Sequence, residues 1–359
     1  MGNVIDYLKW RGDLTFEVSP FNQVDSLILS ELSYMNFEGI VPGPEVKRNG
    51  TITLKKAAEL YFKHHTKKDL EADKSFLRGI PELFGEMAKT RRFEGAVLSD
   101  YVNCIDVDKQ KQFSALHILL EDKTVYISFR GTDDTIAGWR EDFNMSFKTV
   151  PSQVQAAEYL EETTRRKFRS IRLGGHSKGG NLAVYAAARC PFNVRRKLVA
   201  IYCNDAPGFT WDMEQTEGFS QIRPLIFRVV PESSVIGTLF SNDLKEHVVK
   251  SSAKGLMQHD GLTWQVVGTD FVYAKERTKV SQEFEKTMQN LLEKMSKEKK
   301  EKFIGSFFGA IESTGATTVQ ELNSGGTKNV VAILKSFTTL DREDKDILRK
   351  LLRAFIRCV

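Results

Sequence analysis

Leu173 to Leu182 reads LGGHSKGGNL, and its centre, Gly175-His176-Ser177-Lys178-Gly179, fits the pattern G-x-S-x-G. The pattern has a mechanical reason. A serine on a sharp turn from strand to helix sits in a strained backbone, and only small flanking residues leave room for that turn. Such a turn pushes Oγ out at the carboxyl end of a sheet. The helix that starts there aims its free N–H groups and positive end at charge forming beside the serine. The surroundings agree: Ser170 to Leu173 reads as a short strand, and an alanine-rich helix runs from Gly180 to Arg189 through Ala183, Ala186, Ala187 and Ala188. The alternative, glycines that only make a tight β-to-α turn, weighs less with the right elements on both sides. Ser177 is therefore the candidate nucleophile.

Working outward, strands and helices alternate. Ala96 to Asn103, Phe113 to Leu120 and Thr124 to Phe129 read as strands, with the polar turn Glu121-Asp122-Lys123 between the last two. Pro151 to Phe168 reads as a helix. Lys197 to Cys203 and Leu225 to Val230 are apolar, β-branched runs of the kind buried on both faces, and Leu262 to Val267 is one more candidate strand. This alternation predicts an α/β fold, a mostly parallel central sheet flanked by helices, over residues 93–274. Residues 1–92 read as a helical segment that packs on that core. Asn22 caps a stripe of Val24, Leu27, Ile28, Leu32 and Met35; a second helix starts near Thr51 or Thr53, and a third at Pro81. Residues 275–359 read as a charged helical extension. It holds the solvated run KMSKEKKEK (Lys294 to Lys302), a Gly/Ser/Thr-rich loop from Ser313 to Thr327, and a last helix from Asp341 to Cys358 with Ile347, Leu348, Leu351, Leu352 and Phe355 on one face. That face is expected to dock on the protein itself rather than on a second subunit or a membrane surface.

Composition excludes several classes. In 359 residues, 41% hydrophobic and 28% charged is an ordinary globular balance, unlike that of a disordered or collagen-like chain. A net charge of +5 and the lack of a basic stripe interleaved with aromatics argue against nucleic-acid binding. Cys104, Cys190, Cys203 and Cys358 are widely spaced with no CxxC, which suits reduced thiols rather than a disulfide framework or a metal site. The start, MGNVIDYLKW, lacks the pattern of a signal peptide, and Asp6 stands where a myristoylation signal needs Ser or Thr. No run of about eighteen apolar residues predicts a membrane span, so the expectation is a soluble, cytoplasmic protein.

A second motif, Ile127 to Asp142 (ISFRGTDDTIAGWRED), joins the elbow. Together with GHSKGG it resembles the class 3 lipases, α/β hydrolases in which a strand ending in F-R-G-T/S precedes a tryptophan, an aspartate and then the GHSxGG elbow. Asn204 to Phe209 (NDAPGF) continues the resemblance where those lipases carry a G-x-P segment. That likeness covers roughly Phe113 to Trp264. More narrowly, the chain from VDSLILSELSYMNF onward looks like the Mbeg1-like proteins, a bacterial branch of α/β hydrolases that shares the lysine of GHSKGGN. The resemblance implies the α/β-hydrolase fold.

Ser177 needs a base, because an unassisted hydroxyl is a poor nucleophile near neutral pH. In this fold the order is Ser, then Asp or Glu, then His. Only His247 and His259 follow Ser177. His259, in the polar loop MQHDGLTW, matches the histidine-to-tryptophan setting of the lipases and is the expected base; His247, in LKEHVVK, reads as a surface position. The acid is expected in the loop after Leu225 to Val230, where Glu232 stands, although class 3 lipases normally carry Asp there. Asp205 is the runner-up, and Asp260 is close in sequence to His259. His176, beside the nucleophile, reads as elbow packing. The oxyanion donors are expected to be the main-chain N–H of Lys178 and, by the resemblance, that of Thr132, whose hydroxyl adds a bond. Arg130 and Asp142 read as a brace of that loop. The Lys178 ammonium is expected to point to solvent, with a preference for anionic substrates as the alternative.

The expected activity is cleavage of an acyl ester, lipase- or esterase-like, through an acyl-enzyme on Ser177, with no cofactor and no metal. The substrate would be a small or lipid-like acyl compound, Val235 to Leu239 and Phe240 lining its pocket, with peripheral membrane contact compatible. The competing class is a non-catalytic, hydrolase-like binding or scaffold protein.

Overall fold

The structure is a computed structural model that describes residues 1–46, 50–65, 76–106, 111–132, 136–145, 148–164, 168–209, 211–239, 244–292, 295–326, 329 and 332. Two short helices open the chain, α1 (Val4–Arg11) and α2 (Gln23–Leu32), each with a capping box. The Asn3 and Asn22 side chains accept main-chain N–H bonds, and the Asp6 and Asp25 carboxylates accept the N–H of the cap residue in turn. Such a cap contributes about 1 kcal/mol. Then come β1 (Thr51–Thr53), α3 (Leu54–His64), capped by Thr53, and α4 (Ile80–Met87) with Pro81 in its first turn.

The α/β part follows: β2 (Val97–Asp106), β3 (Lys111–Leu119), β4 (Val125–Phe129), α5 (Ile136–Asn144), α6 (Pro151–Thr164), β5 (Ile171–His176), α7 (Lys178–Arg189), β6 (Leu198–Asn204), α8 (Glu217–Ile222), β7 (Ile226–Pro231) and β8 (Glu246–Val249). A small hairpin, β9 (Val266–Val267) with β10 (Asp270–Phe271), leads to α9 (Lys279–Leu292), α10 (Lys297–Glu312) and α11 (Val319–Ser324).

Strands β1 to β8 lie side by side in chain order in one eight-stranded sheet. The pairs from β1 to β4 are antiparallel, and the four from β4 to β8 are parallel. This is the mostly parallel, helix-flanked α/β sheet that the sequence predicts. The alternation of side chains along each strand divides the core in two. Leu116, Ile118 and Tyr126 face the N-terminal helices, among Leu27, Ile28, Leu83 and Phe84. Phe113, Ala115, Val125, Ile127 and Phe129 face α6 and α7 on the other side, among Leu160, Leu182 and Ala186. A third apolar cluster joins Ile136 and Phe143 of α5 and the segment with Val235, Ile236 and Leu239 to Phe284, Phe303, Phe307 and Phe308 of the C-terminal helices.

Two expectations need correction, those for Leu262 to Val267 and for Ser313 to Thr327. Leu262 to Val267 is not one strand, because Gly261–Thr263 makes a 3-10 turn and only Val266–Val267 is extended. The segment after FRGT carries a helix, α5. The residues around His247 form β8, the edge strand of the sheet, with His247 half-buried, in line with its reading as a surface position. The Ser313-to-Thr327 stretch contains the short helix α11, capped by Thr318. The expected last helix, Asp341 to Cys358, and Phe240 lie outside the described residues. Among the described residues no helix is long and apolar enough to cross a membrane.

Candidate active site

Ser177 is the single residue between the last residue of β5 and the first of α7, and its backbone is strained, at φ 56° and ψ −133°. Such a conformation costs about 1–3 kcal/mol in a residue with a side chain, so its surroundings must enforce it. They do so by close approach. A Cβ on Gly175 would collide with the Gly179 main chain, and one on Gly179 with the Phe129 carbonyl. The Ser177 N–H donates to the Asn204 carbonyl at 2.9 Å, which ties the turn to the end of β6. The serine side chain does not cap its own helix.

His259 ends a 3-10 turn, Gly255–His259, and its Nδ1 lies 2.6 Å from Oδ2 of Asp205. A carboxylate only accepts, so Nδ1 carries a proton. Asp205 follows the last residue of β6 and is fully buried, at φ 44°. Its other oxygen accepts from Ser234 Oγ at 2.5 Å and from the Gly237 N–H at 3.1 Å. Three donors converge on this one buried carboxylate.

The structure thus brings the runner-up, Asp205, to His259, and not Glu232. The reason is topological. β6 is the immediate parallel neighbour of the elbow strand β5, so its carboxyl end delivers a side chain beside the serine. Glu232 lies one strand further out and is only half-buried. Its N–H donates to the Val249 carbonyl and its own carbonyl accepts from the Thr278 N–H. The loop after β7 takes part through Ser234 and Gly237 instead. His247 sits on β8, stacked on Phe227 with ring centres 4.0 Å apart and Nδ1 3.1 Å from the Arg228 carbonyl.

On the other side of the serine, Thr132 Oγ1 donates to Asp142 Oδ1 at 2.8 Å. The expected brace by Asp142 is present, with Thr132 as its partner. Burial pushes the Asp142 carboxyl up to about 7, against the pull of the nearby Lys178 charge, and its Oδ2 has no hydrogen-bond partner among the described residues. The Lys178 side chain does not reach solvent. It is completely buried, and its Nζ donates to Glu141 Oε2 at 2.9 Å and to the Gln112 carbonyl at 3.1 Å. A buried ammonium needs such partners, and they come from α5 and β3.

Sequence reasoning missed the surroundings of His176. This fully buried ring lies between the His259 carbonyl, 2.7 Å from Nε2, and Tyr34 Oη, 3.2 Å from Nδ1, with Glu31 Oε1 3.4 Å from Nδ1. The signal was present in SELSYMNF, where Glu31 in the last turn of α2 and Tyr34 just past its end stand three positions apart. The NDAPGF stretch is held as well: Asn181 Nδ2 on α7 donates to the carbonyls of Pro207 and Gly208.

Sheet, elbow and flanking helices define an α/β-hydrolase fold. The chain belongs to the Mbeg1-like family, whose model matches residues 87–309. The N-terminal helices α1 to α3 precede the matched span. One similar solved structure is the crystal structure of M37 lipase, with a TM-score of 0.30 and 13% identity over 48% of this chain and 70% of that one. A likeness at that level carries no argument about activity. No curated protein matches the chain.

Proposed function

We propose that the protein is a serine hydrolase of acyl esters, working through an acyl-enzyme on Ser177. The observation that carries this reading is the 2.6 Å bond from His259 to buried Asp205, together with the strained serine on the adjoining strand end. His259 Nε2 takes the Ser177 proton as Oγ attacks the ester carbonyl carbon. The imidazolium that forms is balanced by the Asp205 carboxylate. The tetrahedral oxyanion receives the main-chain N–H groups of Lys178 and Thr132, the Thr132 hydroxyl staying on Asp142, while the dipole of α7 favours the charge. His259 then returns the proton to the departing alkoxide, and the C–O bond breaks to leave the acyl group on Ser177. Water, deprotonated by His259, releases the acid and restores the serine.

Val235, Ile236 and Leu239 are packed shut against Phe303 and Phe307, and the reading of a lipid-like acyl substrate requires that the acyl chain enter by displacing part of this cluster. The test is hydrolysis of p-nitrophenyl esters from acetyl to decanoyl. Wild type should turn over the longer esters faster, Ser177→Ala should show none, and Leu239→Trp should shift the preference to shorter chains. Equal rates for wild type and Ser177→Ala would overturn the reading. The non-catalytic reading is favoured by one observation, the near-complete burial of Ser177 and His259, 3% and 7% exposed. It requires that no ester in the series be turned over by a folded protein.

A further inference from the structure

Behind the elbow lies a buried polar cluster that the reaction as written leaves unused. A main-chain carbonyl only accepts a hydrogen bond, so at 2.7 Å from the His259 oxygen the Nε2 of His176 carries the hydrogen. Its Nδ1 is then a lone pair, and the Tyr34 hydroxyl at 3.2 Å donates to it. The titratable groups facing His176 are Tyr34 and Glu31 from the N-terminal segment, His259 across the ring face at 4.6 Å between centres, and Asp260 through Glu31. The edge of Trp264 closes the remaining side, with ring centres 6.3 Å apart. Burial, reinforced by Asp260, holds the Glu31 carboxyl well above its ordinary range, and burial holds His176 well below its own. Burial thus favours the neutral form of both groups, and the His176 ring makes hydrogen bonds to Tyr34 and to the His259 carbonyl.

The cluster also touches the serine side of the site. A Cβ on Gly131 would collide with Tyr34 Oη and would sit 3.1 Å from Ser177 Cβ. The tyrosine hydroxyl therefore stands about one side-chain width from the candidate nucleophile. His259 itself lies in a loop between β8 and β9, anchored at the neighbouring Gln258, whose carbonyl accepts from Trp264 Nε1 and whose Oε1 accepts from the Ser233 N–H, each at 2.8 Å.

We propose that Tyr34 and His176 are positioning residues for the Ser177 reaction: Tyr34 fixes His176 in its Nε2–H form, and His176 clamps the main chain of His259 so that its ring stays on Asp205. The N-terminal helical segment, outside the span matched by the family, thereby becomes part of the working site. The clamp rests on the proposed reaction for its purpose, but it can be read without turnover.

The test is proton NMR of the full chain, following the downfield resonance of the His259 Nδ1–H, assigned by its loss in Asp205→Asn. Tyr34→Phe keeps the ring and removes one hydroxyl; it should shift or broaden the resonance and lower kcat on a p-nitrophenyl ester roughly tenfold with KM unchanged, as the loss of one neutral hydrogen bond allows. His176→Phe should do so more strongly. His176→Gln, whose amide N–H can still reach the carbonyl, should restore the resonance. An unmoved resonance and unchanged kcat in Tyr34→Phe would overturn the clamp, and so would a His176→Gln no better than His176→Phe. If His176→Phe does not fold, the other two variants decide. A wild type that shows the resonance but turns over no ester removes the hydrolase reading alone, and the resonance in Tyr34→Phe still decides the clamp.

Discussion

Asp205 carries three donated hydrogen bonds on two oxygens without contact with solvent, and a carboxylate so held serves to orient a partner. Asp205→Asn keeps the shape but can no longer hold His259 in the Nδ1–H form. On the proposed reaction it should lower ester turnover by about 10⁴-fold, the loss this change causes in Ser-His-Asp enzymes. Glu232→Ala should leave kcat/KM within about twofold, and a large loss there would return the acid role to Glu232. Ser177 and His259 were legible because each is marked locally, by glycines in one case and by a scarcity of histidines in the other. The carboxylate partner of His259 was not, because its place depends on which strand lies beside the elbow, and a sequence does not print strand order. Asp142 adds a pH dependence. Its folded value of about 7 lies above the ordinary 3.8 because burial disfavours the charge. The folded protein therefore keeps a proton that the unfolded chain releases, so stability from this group is full below about pH 4 and lost as pH rises to about 7. Asp142→Asn, which still accepts from Thr132, should flatten urea-unfolding stability between those limits by about 1.4 kcal/mol per pH unit. An unchanged slope would mean that the carboxyl is not held in its neutral form.

At the scale of elements, side-chain bonds between helices hold the site together, and these are hardest to foresee. The Lys178 ammonium joins α7 to α5 through Glu141 and to β3 through the Gln112 carbonyl, yet in sequence it reads as a surface cation in a first helical turn. The helix α5 was missed although Ile136, Trp139 and Phe143 recur at i, i+3 and i+7; its burial comes from the C-terminal helices that pack on it. The N-terminal helix α2 is anchored by a buried pair in which Arg92 Nε and Nη2 reach the two Asp25 oxygens at 2.7 and 2.5 Å, with the Tyr7 hydroxyl 2.9 Å from the same carboxylate. Arg92 also spans to the carbonyls of Leu14 and Ser19. Removing one partner of a buried pair strands the other charge, so Arg92→Ala should cost about 3–5 kcal/mol in urea unfolding. A loss below about 1 kcal/mol would show that α2 is held by apolar packing alone.

For the whole molecule, the C-terminal helices connect the two walls of the site. Phe307 and Phe308 of α10 pack on Phe143 of α5, with ring centres 5.8 and 5.1 Å away, and Ser281 Oγ of α9 donates to the Ser234 carbonyl at 2.6 Å. The sequence read this extension as a charged tail because its lysines dominate, while its apolar residues matter only once they meet the partners at Ile136, Phe143 and Val235 to Leu239. Phe308→Asp puts a charge into that cluster. It should release the C-terminal helices, seen as protease cleavage between α9 and α10 with the sheet domain intact, and uniform resistance would contradict this packing. The central claim, a working nucleophile at Ser177, is tested most directly by labelling the full chain with a fluorophosphonate and mapping the modified peptide by mass spectrometry. The expected result is one adduct, on Ser177, absent in Ser177→Ala and slowed strongly in Asp205→Asn. A folded protein that takes no label, or takes it elsewhere at the same rate in Ser177→Ala, would contradict it.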